Sequence, residues 1–122
     1  MSDVRIDSYH GEERRKAPRM PLCLVAAAEC DAWMGMCHTK DISQSGAFVI
    51  SQKIPSINTG FTLVMRLPGK LGRLKIRGVA VRVQGDYPRG FGVHWRDMGP
   101  EEQDLLRQVR QKWDQAFGND QA

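Results

Sequence analysis

Apolar and polar residues come in short runs along most of the chain, and clusters of Gly, Pro, Asp and Asn separate the runs. This predicts strands joined by turns. Residues 22–30 are apolar, with Pro21 before them and Cys30-Asp31 after them. Three consecutive alanines leave a helix open there, but the flanks suit a buried strand in a hairpin. Residues 31–35 then form the turn and 36–42 the returning strand, with a third strand at 47–51. A loop at 55–60 leads to a fourth strand at 61–67, and Pro68-Gly69-Lys70-Leu71-Gly72 is a turn.

Residues 73–83 predict a long fifth strand with a fault in its alternation. Leu74 and Ile76 hold even positions, whereas Val79, Val81 and Val83 hold odd ones. An inserted residue must restore the phase, and Gly78 is the expected β-bulge. After a turn at 84–89, residues 90–96 form a sixth strand.

The period then changes. Gly99-Pro100-Glu101-Glu102 has a glycine at the cap, a proline in the first turn and acids near the positive end of a helix. Leu105, Val109, Trp113 and Phe117 recur every fourth residue beside Leu106, and Gly118 is the expected stop. The stripe should pack on the strands, with Trp113 and Phe117 over an open barrel end. The fold class is therefore all-β dominated: a six-stranded antiparallel β-barrel with one C-terminal α-helix.

With 122 residues, 41% hydrophobic and 26% charged, the chain suits one soluble domain. Residues 1–12 read as a polar tail, 13–118 as the domain and 119–122 as a short C-terminal tail. The net charge of +4 favours anionic partners without naming one. No apolar run approaches the ~20 residues of a membrane helix, and no apolar leader opens the sequence, which predicts a cytoplasmic setting. Cys23, Cys30 and Cys37 are an odd number, against a disulfide framework. They and His38 lack a Cys-x-x-Cys pair, and Cys37 and His38 would point to opposite faces of a strand, so no metal site is assigned. The cysteines read as small, partly buried apolar residues.

Two stretches carry the chemistry. Arg14-Arg15-Lys16-Ala17-Pro18-Arg19 is a cationic run held extended by its prolines. Alone it would read as a solvated charge cluster. Asp41-Ile42-Ser43-Gln44-Ser45-Gly46 is a tight turn between two predicted strands. Arginine offers a planar fork to phosphate or to the O6 and N7 of guanine. Asp41 can accept from guanine's donor edge, and Ser43 and the turn amides can donate to phosphate. Gly46 permits positive φ and close approach. If the fold joins the stretches, a guanine nucleotide fits them.

Arg15-x-x-x-Arg19 followed by Asp41-x-Ser43-x-x-Gly46 resembles the two-part signature of the PilZ domain family, as do the flanks Glu13-Arg14-Arg15, Arg19-Met20-Pro21 and Gly90-Phe91-Gly92-Val93-His94-Trp95. The resemblance spans roughly residues 12–117 and implies a six-stranded barrel that binds the bacterial second messenger cyclic di-GMP. It assigns Arg15 and Arg19 to phosphate and guanine, Asp41 and Ser43 to contacts from the barrel side, and Gly46 to the turn. Arg14 before the motif implies a stacked ligand dimer. The family suggests roles in motility or biofilm signalling through a separate effector protein. The four cations within residues 14–19 predict a loop that is mobile when empty and docks when ligand neutralises it.

No catalytic constellation is found: His10, His38 and His94 are scattered, and residues 69–73 are too short for a phosphate-binding P-loop. The sequence therefore predicts no enzyme, no catalytic residue and no cofactor. Two alternatives are a PilZ-like interaction module that needs no nucleotide, and a nucleic-acid-binding barrel. The second lacks aromatic platforms, since Phe48, Phe61 and Phe91 read as core.

Overall fold

The computed structural model describes residues 19–117. Six strands run β1 (Val25–Glu29), β2 (Met34–Ile42), β3 (Gly46–Ile50), β4 (Gly60–Arg66), β5 (Arg73–Gln84) and β6 (Gly90–Arg96), followed by helix α1 (Pro100–Phe117). They close an antiparallel barrel in the order β1-β2-β3-β6-β5-β4. Closure leaves no free sheet edge. Alternation sends Ala26, Ala28, Val49, Leu63, Met65, Leu74, Ile76, Phe91 and Val93 inward, where each is almost fully buried. Phe61 meets Phe91 edge to face at 5.4 Å between centroids.

The first strand is shorter than the apolar run that announces it, because the side chain of Thr39 holds residues 22–24 in place of a regular ladder. Its hydroxyl accepts from the Leu24 amide at 2.8 Å and donates to the Leu22 carbonyl at 2.6 Å. Thr39 is fully buried, so these bonds also satisfy its own hydroxyl.

The bulge in β5 exists but lies at Val81, not Gly78. The register runs without interruption through Gly78, which pairs with Trp95, and shifts between Ala80 and Arg82. Gly78 points into the barrel, where a Cβ would meet Val93 Cγ1 at 2.6 Å. Interior crowding, and no insertion, calls for glycine there. A second bulge interrupts β2: Thr39 pairs with Val49 and Asp41 with Phe48, leaving Lys40 unmatched.

Gly99 caps α1 as expected, with Glu102 Oε1 accepting from its amide at 2.8 Å. Leu106 and Val109 are buried in the core. Leu105 and Trp113 pack on it from the side. Phe117 departs from the expected cover: it is exposed, with its ring tilted against that of Trp113 at 4.4 Å between centroids. Leu22, Pro68, Val109, Trp113 and Phe117 border a small apolar groove of about 140 Å³. The expected stop at Gly118 lies outside the described residues. No described helix is long and apolar enough to cross a membrane.

The cysteines differ from one another: Cys23 is exposed, Cys30 half-buried and Cys37 buried. Cys37 pairs with Ala26 on the inner face and His38 with Val25 on the outer one. Burial pushes the Cys37 thiol up to about 11.

Candidate functional site

The end of β2 joins the two stretches. Met20 and Ile42 form an isolated antiparallel bridge, each amide donating to the other's carbonyl, at 2.8 and 2.9 Å. Met20 and Ile42 are both buried, so the bridge is anchored in the core. It fixes Arg19, the preceding residue, beside Asp41. The Arg19 guanidinium donates to Asp41 Oδ1 at 2.5 Å, and both side chains remain partly accessible, at 31% and 22%. One cation of the basic run thus has a partner within the site.

Asp41 faces outward because of the bulge at Lys40. With strict alternation from Thr39, position 41 would point into the core; the extra residue places Asp41 with outward Phe48 and leaves Ile42 with inward Ala47. The Phe48 amide also donates to Asp41 Oδ1, at 3.3 Å.

Ser43 is only 2% exposed. Its hydroxyl accepts from the amides of Ser45 and Gly46, at 3.2 and 3.3 Å, and lies 3.3 Å from the Gly46 carbonyl. The side chain expected to donate to phosphate, and two of the turn amides, are engaged within the turn itself. Gly46 likewise differs in its reason: it is absent from the positive-φ glycines, which among the described residues are Gly69 and Gly72. A Cβ on Gly46 would collide with the Val93 carbonyl of β6. Trp95 of the same strand closes the turn from below, its indole N–H donating to the Ser43 carbonyl at 3.1 Å and its amide to the Ser45 carbonyl at 3.0 Å. Arg14 and Arg15 lie outside the described residues.

Phe48, expected in the core, faces the outer wall. It is nonetheless only 4% exposed. Two cations flank it, Arg82 with its guanidinium carbon 5.5 Å from the ring centroid and Lys40 with its ammonium at 5.8 Å. The sequence held a clue, since inward Ala47 and Val49 force Phe48 outward. Lys40, Arg82 and Trp95 were not assigned to the site from sequence. The parity fault in residues 73–83 was the available signal for Arg82.

A closed six-stranded barrel whose outer wall joins an arginine–aspartate pair to a braced Ser-x-x-Gly turn brings both halves of the signature to one place. The PilZ domain model matches residues 13–111, and the chain belongs to that family. No curated protein matches the sequence.

Solved structures agree on the fold. The PilZ domain of YcgR from Escherichia coli with c-di-GMP aligns at a TM-score of 0.69 and 10% identity, over 84% of this chain and 93% of that one. The Bacillus subtilis inhibitor of motility, MotI/DgrA, aligns at 0.70 and 18% identity, over 81% of this chain and 51% of its own. The K. pneumonia MrkH–c-di-GMP complex aligns at 0.66 and 16% identity, over 81% and 51%. The chain thus spans about half the length of the latter two proteins.

Proposed function

We infer that the chain is a cyclic di-GMP receptor without catalytic activity of its own. The observation that carries this is the Met20–Ile42 bridge, which brings Arg19 and Asp41, one from each half of the signature, together on the outer wall. Family membership and the c-di-GMP complexes among the structural neighbours support the same ligand. Arg15 and Arg19 grip phosphate and guanine, Asp41 accepts from the guanine donor edge, and Ser43, Gly46 and Trp95 hold the turn in shape. For Arg19 to engage ligand, its bond to Asp41 is exchanged or shared, which tunes both groups at once.

Arg14 brings a stacked pair of ligand molecules within this reading. Neutralising the basic run docks it onto the barrel, and the new surface is read by a separate effector, in motility or biofilm signalling. A cytoplasmic setting belongs to the same proposal, supported by the three free thiols.

A second reading, an interaction module that needs no nucleotide, draws on one observation: Arg19, Asp41 and the Ser43 hydroxyl already have partners in one another or in the turn. Calorimetric titration with cyclic di-GMP at physiological salt separates the two. Saturable binding that Arg15→Ala abolishes and GTP does not compete away establishes the receptor. Absence of heat from the folded protein sinks it in favour of the module.

A further inference from the structure

Both bulges act on one face. The bulge at Lys40 turns Asp41 outward, and the bulge at Val81 turns Arg82 outward. The pairings Asp41–Phe48, Phe48–Gly92 and Gly92–Arg82 set these four residues in one row across β2, β3, β6 and β5. Three inter-strand steps make this row about 14 Å long. Arg19 and Asp41 hold one end. At the other, the Arg82 side chain lies across Gly92, where an added Cβ would sit 3.5 Å from Arg82 Cβ and 3.7 Å from Nε. The side chain thus runs close over the backbone at Gly92, within ordinary contact distance of an added Cβ, to bring the guanidinium to the Phe48 ring.

A cyclic dinucleotide carries a base on each side of a phosphodiester ring, so it presents two recognition ends. The row also has two ends. Phe48 cannot serve as an open stacking platform, because Arg82 and Lys40 already flank its ring. What the row offers beyond the Arg19–Asp41 pair is a planar cation, exposed, anchored on β5 and reaching back over the Phe48 ring of β3. Seating reduces the conformational entropy lost on binding. An arginine fork held this way matches the O6 and N7 acceptors of guanine and rejects adenine, which places a donor at that edge.

We propose that Arg82, seated on Phe48 across Gly92, is a specificity-determining residue that reads the O6/N7 edge of the ligand's second guanine. The assignment rests on the receptor reading above. It is tested by titrating the full chain, Arg82→Ala, Arg82→Lys and the remote control Arg66→Ala with cyclic di-GMP and with its 7-deazaguanine analogue, which lacks N7.

The wild type is expected to bind cyclic di-GMP and to lose affinity for the analogue. Arg82→Ala should bind cyclic di-GMP about tenfold or more weakly and lose part of the penalty for the deaza substitution, since the partner of the second N7 is gone while the arginines at the first guanine remain. Lysine should not restore the difference, because it is a point charge without a fork. Arg66→Ala should behave as wild type. If Arg82→Ala matches wild type, or both discriminate N7 equally, the assignment falls while the receptor reading stands. If the wild type binds neither dinucleotide, both fall.

Discussion

The indole N–H of Trp95 and the main-chain carbonyl of Ser43 form a buried hydrogen bond of 3.1 Å that joins the last strand to the signature turn. With the Trp95 amide donating to the Ser45 carbonyl, this seam fixes the height of the turn above the barrel wall. Trp95→Phe keeps an aromatic ring and removes the donor, leaving the Ser43 carbonyl buried and short of a partner. The expected cost is about 1–3 kcal/mol. Denaturant unfolding should show a lower midpoint with an unchanged slope, and cyclic di-GMP affinity should fall with it.

Gly46 and Gly92 lie on adjacent strands of the same wall, yet alanine should affect them differently. At Gly46 a Cβ collides with the backbone carbonyl of Val93, which cannot step aside without moving β6. At Gly92 the nearest atom belongs to the Arg82 side chain, at ordinary contact distance. Gly46→Ala is expected to destabilise by about 1–3 kcal/mol, or more if β6 shifts. Gly92→Ala should stay within about 0.5 kcal/mol of wild type. Thermal melts of the two variants side by side check this. Equal behaviour would mean that Gly46 serves backbone freedom and not close packing.

The strands, the barrel class and the helix were legible because each rests on a local pattern: period two with turn residues between, then period four after a Gly-Pro cap. Arg19 and Asp41 were legible as a signature. Their contact was not, since it depends on the Met20–Ile42 bridge, a pairing between segments 22 residues apart in sequence that no local rule specifies. The fault in residues 73–83 revealed that a bulge must exist, but its place was misjudged, because glycine was taken as a mark of insertion where it instead relieves crowding by Val93. The burial of Phe48 was legible, but not the face it lies on, because hydrophobicity was weighed without parity. Its neighbours Ala47 and Val49 point inward, so the ring, although buried as expected, lies against the outer wall over Gly90 with two cations flanking it.

The cysteines give a pH-dependent prediction. Desolvation raises the Cys37 thiol from 9.0 to about 11, so the fold favours its neutral form. Below about pH 9 that preference costs nothing, because the unfolded thiol is neutral as well. As pH rises from 9 towards 11 the unfolded chain ionises first, and the stability tied to the neutral thiol is lost. Denaturant midpoints should therefore decline over that window, and Cys37→Ala should flatten the decline. At pH 8 iodoacetamide should alkylate exposed Cys23 readily and reach Cys37 only after unfolding.

The Arg19–Asp41 pair is where stability and binding should separate. It is a single ion pair with both side chains partly solvated, and pairs of that kind contribute about 0–1 kcal/mol. The backbone bridge that positions it belongs to Met20 and Ile42 and survives changes at either side chain. Arg19→Ala and Asp41→Ala should therefore each lower stability by no more than about 1 kcal/mol. Binding is a different matter, because charge-assisted hydrogen bonds contribute about 1.5–3 kcal/mol each, or roughly tenfold or more in affinity. Each variant should lose cyclic di-GMP affinity by at least that factor while its melt barely moves. The double variant should lose less than the sum of the two, because Arg19 and Asp41 position one another. A double-mutant cycle on affinity, with melts in parallel, measures this. Strict additivity would mean that the two residues contact the ligand independently and that their ion pair has no part in preparing the site.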